Sequence, residues 1–417
     1  MLQGKTVLLG VTGGIAAYKM PNVARMLKKM HCNVHVLMTQ NATNFITATT
    51  FETLTGNKCL IDTFDRNFEF SVEHVALAKQ ADLVLLAPAT ANVIGKIANG
   101  IADDMLTTTV MACTCKVLVA PAMNHNMYHN SIVQENLEKL KRHGYEMIDP
   151  VCGMLANGDT GDGKLPSEET LVEYVLRELA FEKDMQGLKV LVTAGPTQEA
   201  IDPVRFISNH STGKMGYAIA KNAMLRGAEV TLVTGRTALE PPMFVKTVPV
   251  TSAKDMYQAV MECAKEQDII VKAAAVADYT PAHTADEKIK KSEGELSLAL
   301  EKTTDILAEL GKNKGNTVLC GFSMETEHML ENSRAKRKKK NLDMIAANNL
   351  KQQGAGFAGD TNVLTLITED WEKELALMSK DEAAKCLLDE WSEDEKVGYR
   401  KDLQVALENN DLAALKN

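Results

Sequence analysis

The stretch KTVLLGVTGGIAAYK, Lys5 to Lys19, decides the fold of the first half of this chain. A Leu- and Val-rich run stops at Thr12, Gly13 and Gly14, and a helical pattern follows. Continuous apolar runs of this kind mark strands of a parallel sheet, covered on both faces. A glycine turn that opens on a helix presents backbone N–H groups to an anion. A second opening, KVLVTAGPTQEAIDPVRFISNHSTGKMG, runs from Lys189 to Gly216. Two strand–turn–helix openings imply two α/β domains with separate sites.

Composition agrees with that division. A chain of 417 residues, 45% hydrophobic and 24% charged, is long enough for two independent cores. Its net charge of −9 argues against nucleic acid or an anionic membrane as the main partner. No run reaches the ~18 apolar residues of a membrane span, and MLQGKTVLLG lacks the pattern of a signal peptide. The 8 cysteines contain no C-x-x-C pair, which points to a reducing, cytoplasmic setting. Cys113 and Cys115 would share a strand face, but no second ligand pair has zinc-site spacing.

In the first half, strand-like runs occur at Thr6–Val11, Val34–Met38, Leu83–Ala87 and Val117–Ala120. Ligands of parallel sheets bind at the carboxyl ends of the strands, and the unusual residues fall there: Thr12-Gly13-Gly14, Thr39, APATAN (Ala87–Asn92) and PAMN (Pro121–Asn124). Each loop alone is ordinary βα turn chemistry. Together with His74, ahead of the third strand, they line one edge and outline a crevice. Neither G-x-G-x-x-G nor a P-loop is present, since Gly213-Lys214 is followed by Met215.

GVTGGIAAYK, EHVALA, APATAN and PAMNHNMY resemble, in order and spacing, the flavin-dependent cysteine decarboxylases related to phosphopantothenoylcysteine decarboxylase, over residues 1 to 180. The resemblance implies a flavodoxin-like fold that binds FMN, with the phosphate at Gly13, Gly14 and Ile15 and near Thr39. It sets the isoalloxazine against Ala87, Pro88, Ala89, Thr90, Ala91 and Asn92, makes His74 the base and gives the substrate to Met123 and Asn124. In such enzymes flavin oxidises a cysteinyl thiol, carbon dioxide leaves from the thioaldehyde, and the electrons return to the enethiol. An imidazole suits the proton handling near neutral pH. The family's flap carries A-C-G-D-x-G-x-G-R, whose cysteine donates the last proton. Here LANGDTGDGKL puts Asn157 at that position. An amide is no thiol acid, so the final reduction is expected to be impaired unless Cys152 substitutes.

The second half opens after a helical pattern expected over Ser167–Met185, so the boundary is expected near Lys183–Gly187, giving domains 1–186 and 187–417. Strand patterns recur at Val190–Thr193, Val230–Val233, Val245–Val250, Ile269–Val276, Val318–Phe322 and Val363–Ile367. This second α/β domain is expected to run to about residue 410. Arg205, Asn209, His210, Ser211, Thr212 and Lys214 crowd one loop, AAAVADY ends a buried strand in Asp278, and EKIKK and SRAKRKKKN supply cations. Lys336 and Lys340 lie four apart on one helical face, a spacing that suits a shared polyphosphate; Arg337, Lys338 and Lys339 read as a solvated face.

These segments resemble phosphopantothenate–cysteine ligase over residues 187 to 400, and the two halves together resemble the fused bifunctional enzymes of bacterial coenzyme A biosynthesis. The resemblance implies that CTP activates the phosphopantothenate carboxylate as an acyl-cytidylate, which the cysteine amine then attacks. It assigns Arg205 and Asn209 to phosphopantothenate, and it gives Lys272, Ala273, Ala274, Asp278, Lys288, Thr303, Thr304, Asp305, Ile306, Phe322, Lys336 and Lys340 to CTP. KTTDI stands for the usual K-N-P-D-I. Lysines and Mg²⁺ must spread the charge as a carboxylate attacks a triphosphate, with Lys288 as a mobile clamp and Asp278 as the one carboxylate on the metal. The implied assembly is a homo-oligomer of trimeric decarboxylase and dimeric ligase units, as in a dodecamer. Two rival readings are a non-catalytic regulatory flavoprotein fused to an active ligase and an NAD-dependent oxidoreductase. His74 speaks against the first and the glycine spacing against the second.

Overall fold

The first apolar run forms strand β1, Thr6–Val11, buried along its whole length. It lies in a computed structural model that describes residues 1–64, 73–154, 158–290, 296–325, 327–349 and 359–392. Contacts divide the chain into two units, Met1–Phe181 and Glu182–Asn417.

In the first unit β1 pairs in parallel with β2, Asn33–Met38, on one side and β3, Leu83–Ala89, on the other. The sheet continues through β4, Lys116–Pro121, to β5, Glu146–Met147, in the order β2-β1-β3-β4-β5. The strand order reverses between β1 and β3, so a crevice opens at their carboxyl ends. Leu8, Val84, Leu86 and Val119 pack with Val93, Ile97, Leu137 and Leu140 from the covering helices. The helix Met20–Lys29 buries Met20, Val23, Ala24 and Leu27 at helical spacing and ends in Lys28 and Lys29, which complement its dipole. Ser167 caps the helix Glu168–Leu179 by accepting from Thr170 N at 3.1 Å. That helix stops short of the expected Met185. A hairpin of β6, Val151–Met154, and β7, Thr160–Lys164, follows β5; these glycine-rich strands carry no apolar alternation that would reveal them.

The second unit holds an eight-stranded sheet. In space the strands run Lys246–Pro249, Glu229–Thr234, Lys189–Ala194, Ile269–Lys272, Val318–Glu325 and Met344–Asn349, all parallel. The strands Leu364–Ile367 and Glu372–Glu374 then add antiparallel. Here the order reverses between Lys189–Ala194 and Ile269–Lys272, which marks a second switch point. The strand expected over Ile269–Val276 ends at Lys272, beyond which only Ala275 keeps a parallel bridge, to Pro196, while side chains take the donors on either side of it. Ala274 N donates to Thr193 Oγ1 at 3.1 Å and Ala277 N to Thr197 Oγ1 at 3.0 Å. The strand Met344–Asn349 was not anticipated: it follows a lysine-rich helix and ends in two asparagines. The expected extension to residue 410 passes outside the described residues after 392. Among the described residues no helix is long and apolar enough to cross a membrane.

Candidate active sites

At the first switch point three loops are tied to one another. Thr12 Oγ1 donates to Pro88 O at 2.6 Å and accepts from Thr90 N at 3.0 Å, joining the turn after β1 to the turn after β3. Ala122 N donates to Ala89 O at 3.0 Å, and Thr39 N donates to Val11 O at 3.0 Å. The residues Gly13, Gly14, Ile15, Thr39, Ala87 to Asn92, Met123 and Asn124 therefore meet on one edge. Gly13 packs so closely that a Cβ there would lie 2.5 Å from Asn41 Cβ, so backbone alone faces the crevice. Thr39 Oγ1 is buried without a hydrogen-bond partner. A buried hydroxyl is expensive to leave unpaired, and a phosphate oxygen supplies the acceptor it lacks; the residues fit a flavin phosphate.

His74 is the second residue of the helix Glu73–Gln80. That helix returns toward the start of β3, so its first turn lies at the same carboxyl edge. The ring is half-buried and has no hydrogen bond to another described residue. Asn124 caps the short helix His125–Tyr128, its Oδ1 accepting from Asn126 N at 2.9 Å, which leaves its amide N–H bonds to turn outward. Asn157 lies outside the described residues; Cys152 is an exposed thiol on β6.

The second switch point opens into a cavity of about 330 Å³. It is lined by Ser211 to Gly216, Lys272 to Asp278, Thr303 to Leu307, Phe322 to Met324, Lys336, Lys340, Asn348, Asn362 and Lys380. The structure thus brings together every residue assigned by resemblance to CTP except Lys288. Lys340, capping the helix Met329–Lys339, pairs with Asp305 at 2.7 Å, and Asp305 also caps the helix Ile306–Lys312. Thr303 N donates to Asp278 O at 3.0 Å and its hydroxyl donates to Ala277 O at 2.6 Å, so the unusual KTTDI loop is locked to the Asp278 turn.

Burial first, and the charges of Lys340 and Lys336 second, push the Lys272 ammonium down to about 8. Lys336 is lowered for the same reasons, burial and Lys340. Burial acts to raise Asp305, but the Lys340 hydrogen bond outweighs it and holds the carboxyl below its ordinary range. Such a cluster suits a polyanion. Sequence reasoning missed Asn348, which lines this cavity at 7% exposure with an unpartnered, buried Oδ1. An asparagine at the end of an apolar strand was the available signal.

Arg205 and Asn209 do not appear among the described lining residues. Asn209 Nδ2 donates to Ala275 O at 2.7 Å and its Oδ1 accepts from Ser211 N at 2.9 Å, holding two segments that do line the cavity. Arg205 clasps the buried carboxylate of Asp202 through Nε at 2.9 Å and Nη2 at 2.5 Å. The same carboxylate accepts from Val204 N and Arg205 N at 2.8 Å and from Ile289 N at 3.2 Å. Arg205 Nη2 also donates to Ile289 O at 2.9 Å. The exposed Lys288 thus stands beside a residue tethered on both backbone groups. The Arg205 hydrogen bond, chiefly, and the backbone donors hold the Asp202 carboxyl far below its usual range.

Two outcomes follow from this geometry. Thr39→Val removes the orphan hydroxyl, so the fold should be no less stable while flavin affinity falls roughly 10- to 100-fold, the worth of one hydrogen bond to a charged group. Equilibrium dialysis of flavin measures this; unchanged affinity would detach Thr39 from the phosphate. In the second cavity, a bound polyphosphate must raise the Lys272 pKa from about 8, because opposite charge favours the ammonium. Nucleotide binding should therefore take up a proton near pH 8 and weaken as pH rises above it. Calorimetry in two buffers of different ionisation enthalpy should show the uptake, and Lys272→Met should abolish it.

Residues 1–180 match the family model Flavoprotein, and residues 185–393 match that of the DNA/pantothenate metabolism flavoprotein C-terminal domain. The coenzyme A biosynthesis bifunctional protein CoaBC of Bacillus subtilis is 46% identical over 384 residues, 91% of this chain and 95% of that protein. Its counterpart from Escherichia coli K12 is 43% identical over 393 residues, 93% of this chain and 97% of that protein. A crystal structure of the C-terminal domain of a CoaBC is 42% identical, with a TM-score of 0.44, over 51% of this chain and 97% of that one. With both halves matched and nearly full-length relatives above 40% identity, the chain belongs to the family of bifunctional coenzyme A biosynthesis enzymes, in which a flavoprotein decarboxylase is fused to a ligase.

Proposed function

We propose that the two halves, divided near residues 186 and 187, make and then decarboxylate 4′-phosphopantothenoylcysteine, with CTP and Mg²⁺ serving the second half and FMN the first. The observation that carries the ligase reading is the convergence of Lys272, Lys336 and Lys340 on one switch-point cavity. Three ammonium groups in a partly desolvated space repel one another unless a polyanion joins them. The triphosphate is the ligand that answers this, and Asn348 Oδ1, unpartnered on the cavity wall, suits an N–H or O–H of the same nucleotide. Mg²⁺ would be carried mainly by phosphate oxygens, with Asp278 as its protein carboxylate. Lys288 is the mobile charge that follows the carboxylate as it attacks, and Arg205 and Asn209 serve phosphopantothenate. Pyrophosphate release from CTP, dependent on phosphopantothenate, tests the reading; release from ATP but not CTP would overturn the nucleotide assignment.

In the first half FMN supplies the two-electron oxidation that makes the substrate carboxylate a leaving group. The chain's own residues bind and steer. Gly13, Gly14, Ile15 and Thr39 hold the phosphate, Ala87 to Asn92 bound the ring, His74 moves the proton, and the Asn124 amide grips the carboxylate without neutralising it. Met123 is fixed by donating from its N–H to Gly163 O at 3.0 Å. The enzyme is assigned to the cytoplasm as a homo-oligomer of trimeric and dimeric units, which sedimentation analysis tests.

Lys288→Gln should slow pyrophosphate release by on the order of 10²–10³ without weakening nucleotide binding. Asp202→Asn should slow it too, through the Ile289 tether. The double variant should then be no slower than Lys288→Gln alone, since both changes act on one group. Multiplied losses would mean that Asp202 serves only the fold, and a fast Lys288→Gln enzyme would remove Lys288 from the chemistry.

For the decarboxylase, Asn157 leaves the enethiol without its proton donor, so about one carbon dioxide and one enethiol should form per flavin, with the two electrons left on the reduced flavin and turnover poor thereafter. Mass spectrometry should find that product two hydrogens lighter than 4′-phosphopantetheine. Asn157→Cys should convert it to phosphopantetheine, and His74→Asn should stop carbon dioxide release. Full turnover to phosphopantetheine by the parent chain would refute the stall and direct attention to Cys152.

A further inference from the structure

Next to Met123 and Asn124, on the side away from β4, lies a cluster that neither half-reaction uses. We propose that His125, His129 and Asp162 form a zinc site that pins the flap hairpin to the Met123–Asn124 segment. His125 and His129 stand four apart on one helical turn, with ring centroids 4.4 Å from each other. Asp162 reaches them from β7. One ligand atom from each of the three lies within 4.8 Å of the others.

The spacing suits a tetrahedral ion. Zinc bonds of ~2.0–2.1 Å to nitrogen and oxygen, opened at the tetrahedral angle, set neighbouring ligand atoms ~3.3 Å apart. His129 Nε2 and Asp162 Oδ2 are already 3.1 Å apart. The third ligand needs only a side-chain adjustment of a half-exposed imidazole. Two imidazoles and one carboxylate are borderline donors that favour Zn²⁺ over Mg²⁺ or Ca²⁺, and the half-exposed site leaves the fourth position to water.

The His129–Asp162 pair at 3.1 Å and the Asp162 N–H directed at His125 gather all three groups before any ion binds. Two backbone contacts keep the array in place. Asp162 N donates to His125 Nδ1 at 3.3 Å; this long hydrogen bond holds the ring beside Asp162, and metal binding would release it, because the nitrogen that does not ligate then carries the ring proton. Met123 N donates to Gly163 O at 3.0 Å. The ligands thus come from two backbone segments that already touch, and an ion would add a bond across their junction. That junction carries the outgoing arm of the flap, so zinc would restrain the flap from its base.

The test uses the full chain and the metal alone. Calorimetry with Zn²⁺, and the visible spectrum of a tetrahedral Co²⁺ complex, should show one ion per chain. His129→Ala and Asp162→Asn should each weaken binding by more than the roughly 10- to 100-fold that loss of an outer-shell partner costs, while His143→Ala should not. Hydrogen exchange should slow in residues 160–164 on adding zinc to the parent chain and stay unchanged in His129→Ala. The proposal is overturned if no ion binds, or if binding survives both ligand substitutions and therefore belongs to thiols. Binding that needs His129 and Asp162 but leaves exchange of the hairpin untouched would overturn the pinning.

Discussion

The candidate site residues of both halves gather at the carboxyl edges of the two sheets, because the central strands are buried on both faces. β1 and β3 have no exposed position along their lengths, so no chemistry fits inside the sheet. Each sheet reverses its strand order once beside its first strand, and there the loops diverge and leave a space that helices do not fill. The first crevice is kept open by Thr12, whose hydroxyl holds Pro88 and Thr90 at a fixed distance. The second is bounded by Ala273 to Asp278, where Thr193 and Thr197 take the N–H groups of Ala274 and Ala277 and only Ala275 keeps a backbone bridge. Two threonine-mediated departures from regular β pairing thus make the two sites.

The two sites differ in their electrostatics, and that difference separates their chemistry. The flavin crevice presents backbone, small residues and one orphan hydroxyl, an environment that holds a phosphate without bringing a strong field to the ring. The ligase cavity gathers Lys272, Lys336 and Lys340 with Asp305, which pairs with Lys340, and with Asp278 on the same lining. Burial and mutual repulsion depress both Lys272 and Lys336, so without a ligand the cluster is destabilised. An anion entering it relieves repulsion as well as gaining attraction. In the reading proposed for this half, charge developing during attack on a phosphate would meet donors already in place.

Much of this could be read in the sequence, for a definite reason. Runs such as TVLLGV and LVLLAPA are unbroken because parallel strands are covered twice, so β1 matched its expected limits and β3 fell two residues beyond them. The edge loops followed from the ends of those runs. What escaped was whatever lacks a period: β5 is two residues long, β6 is Val-Cys-Gly-Met, and β7 is Thr-Gly-Asp-Gly-Lys. Met344–Asn349 was hidden by the charged helix before it. Asn348 escaped with it, since the value of a lone asparagine depends on its Oδ1 finding no partner, and only packing reveals that. The tether of Ile289 by Asp202 is likewise invisible, joining residues far apart in the chain through one carboxylate.

The hairpin of β6 and β7 is anchored through main chain rather than side chains. Its outgoing arm is fixed by backbone: Met123 N bonds Gly163 O, and Gly163, at φ +116°, comes so close to Met123 O that a Cβ there would collide. Both contacts are made by main chain, so the junction between the hairpin and the Met123–Asn124 segment does not depend on which side chains those positions carry. His74 stands in the helix Glu73–Gln80 and Asn124 caps the helix His125–Tyr128, so neither belongs to the hairpin. In the reading proposed for this half, the steps given to His74 and Asn124 are therefore served by elements separate from the one that carries the flap sequence.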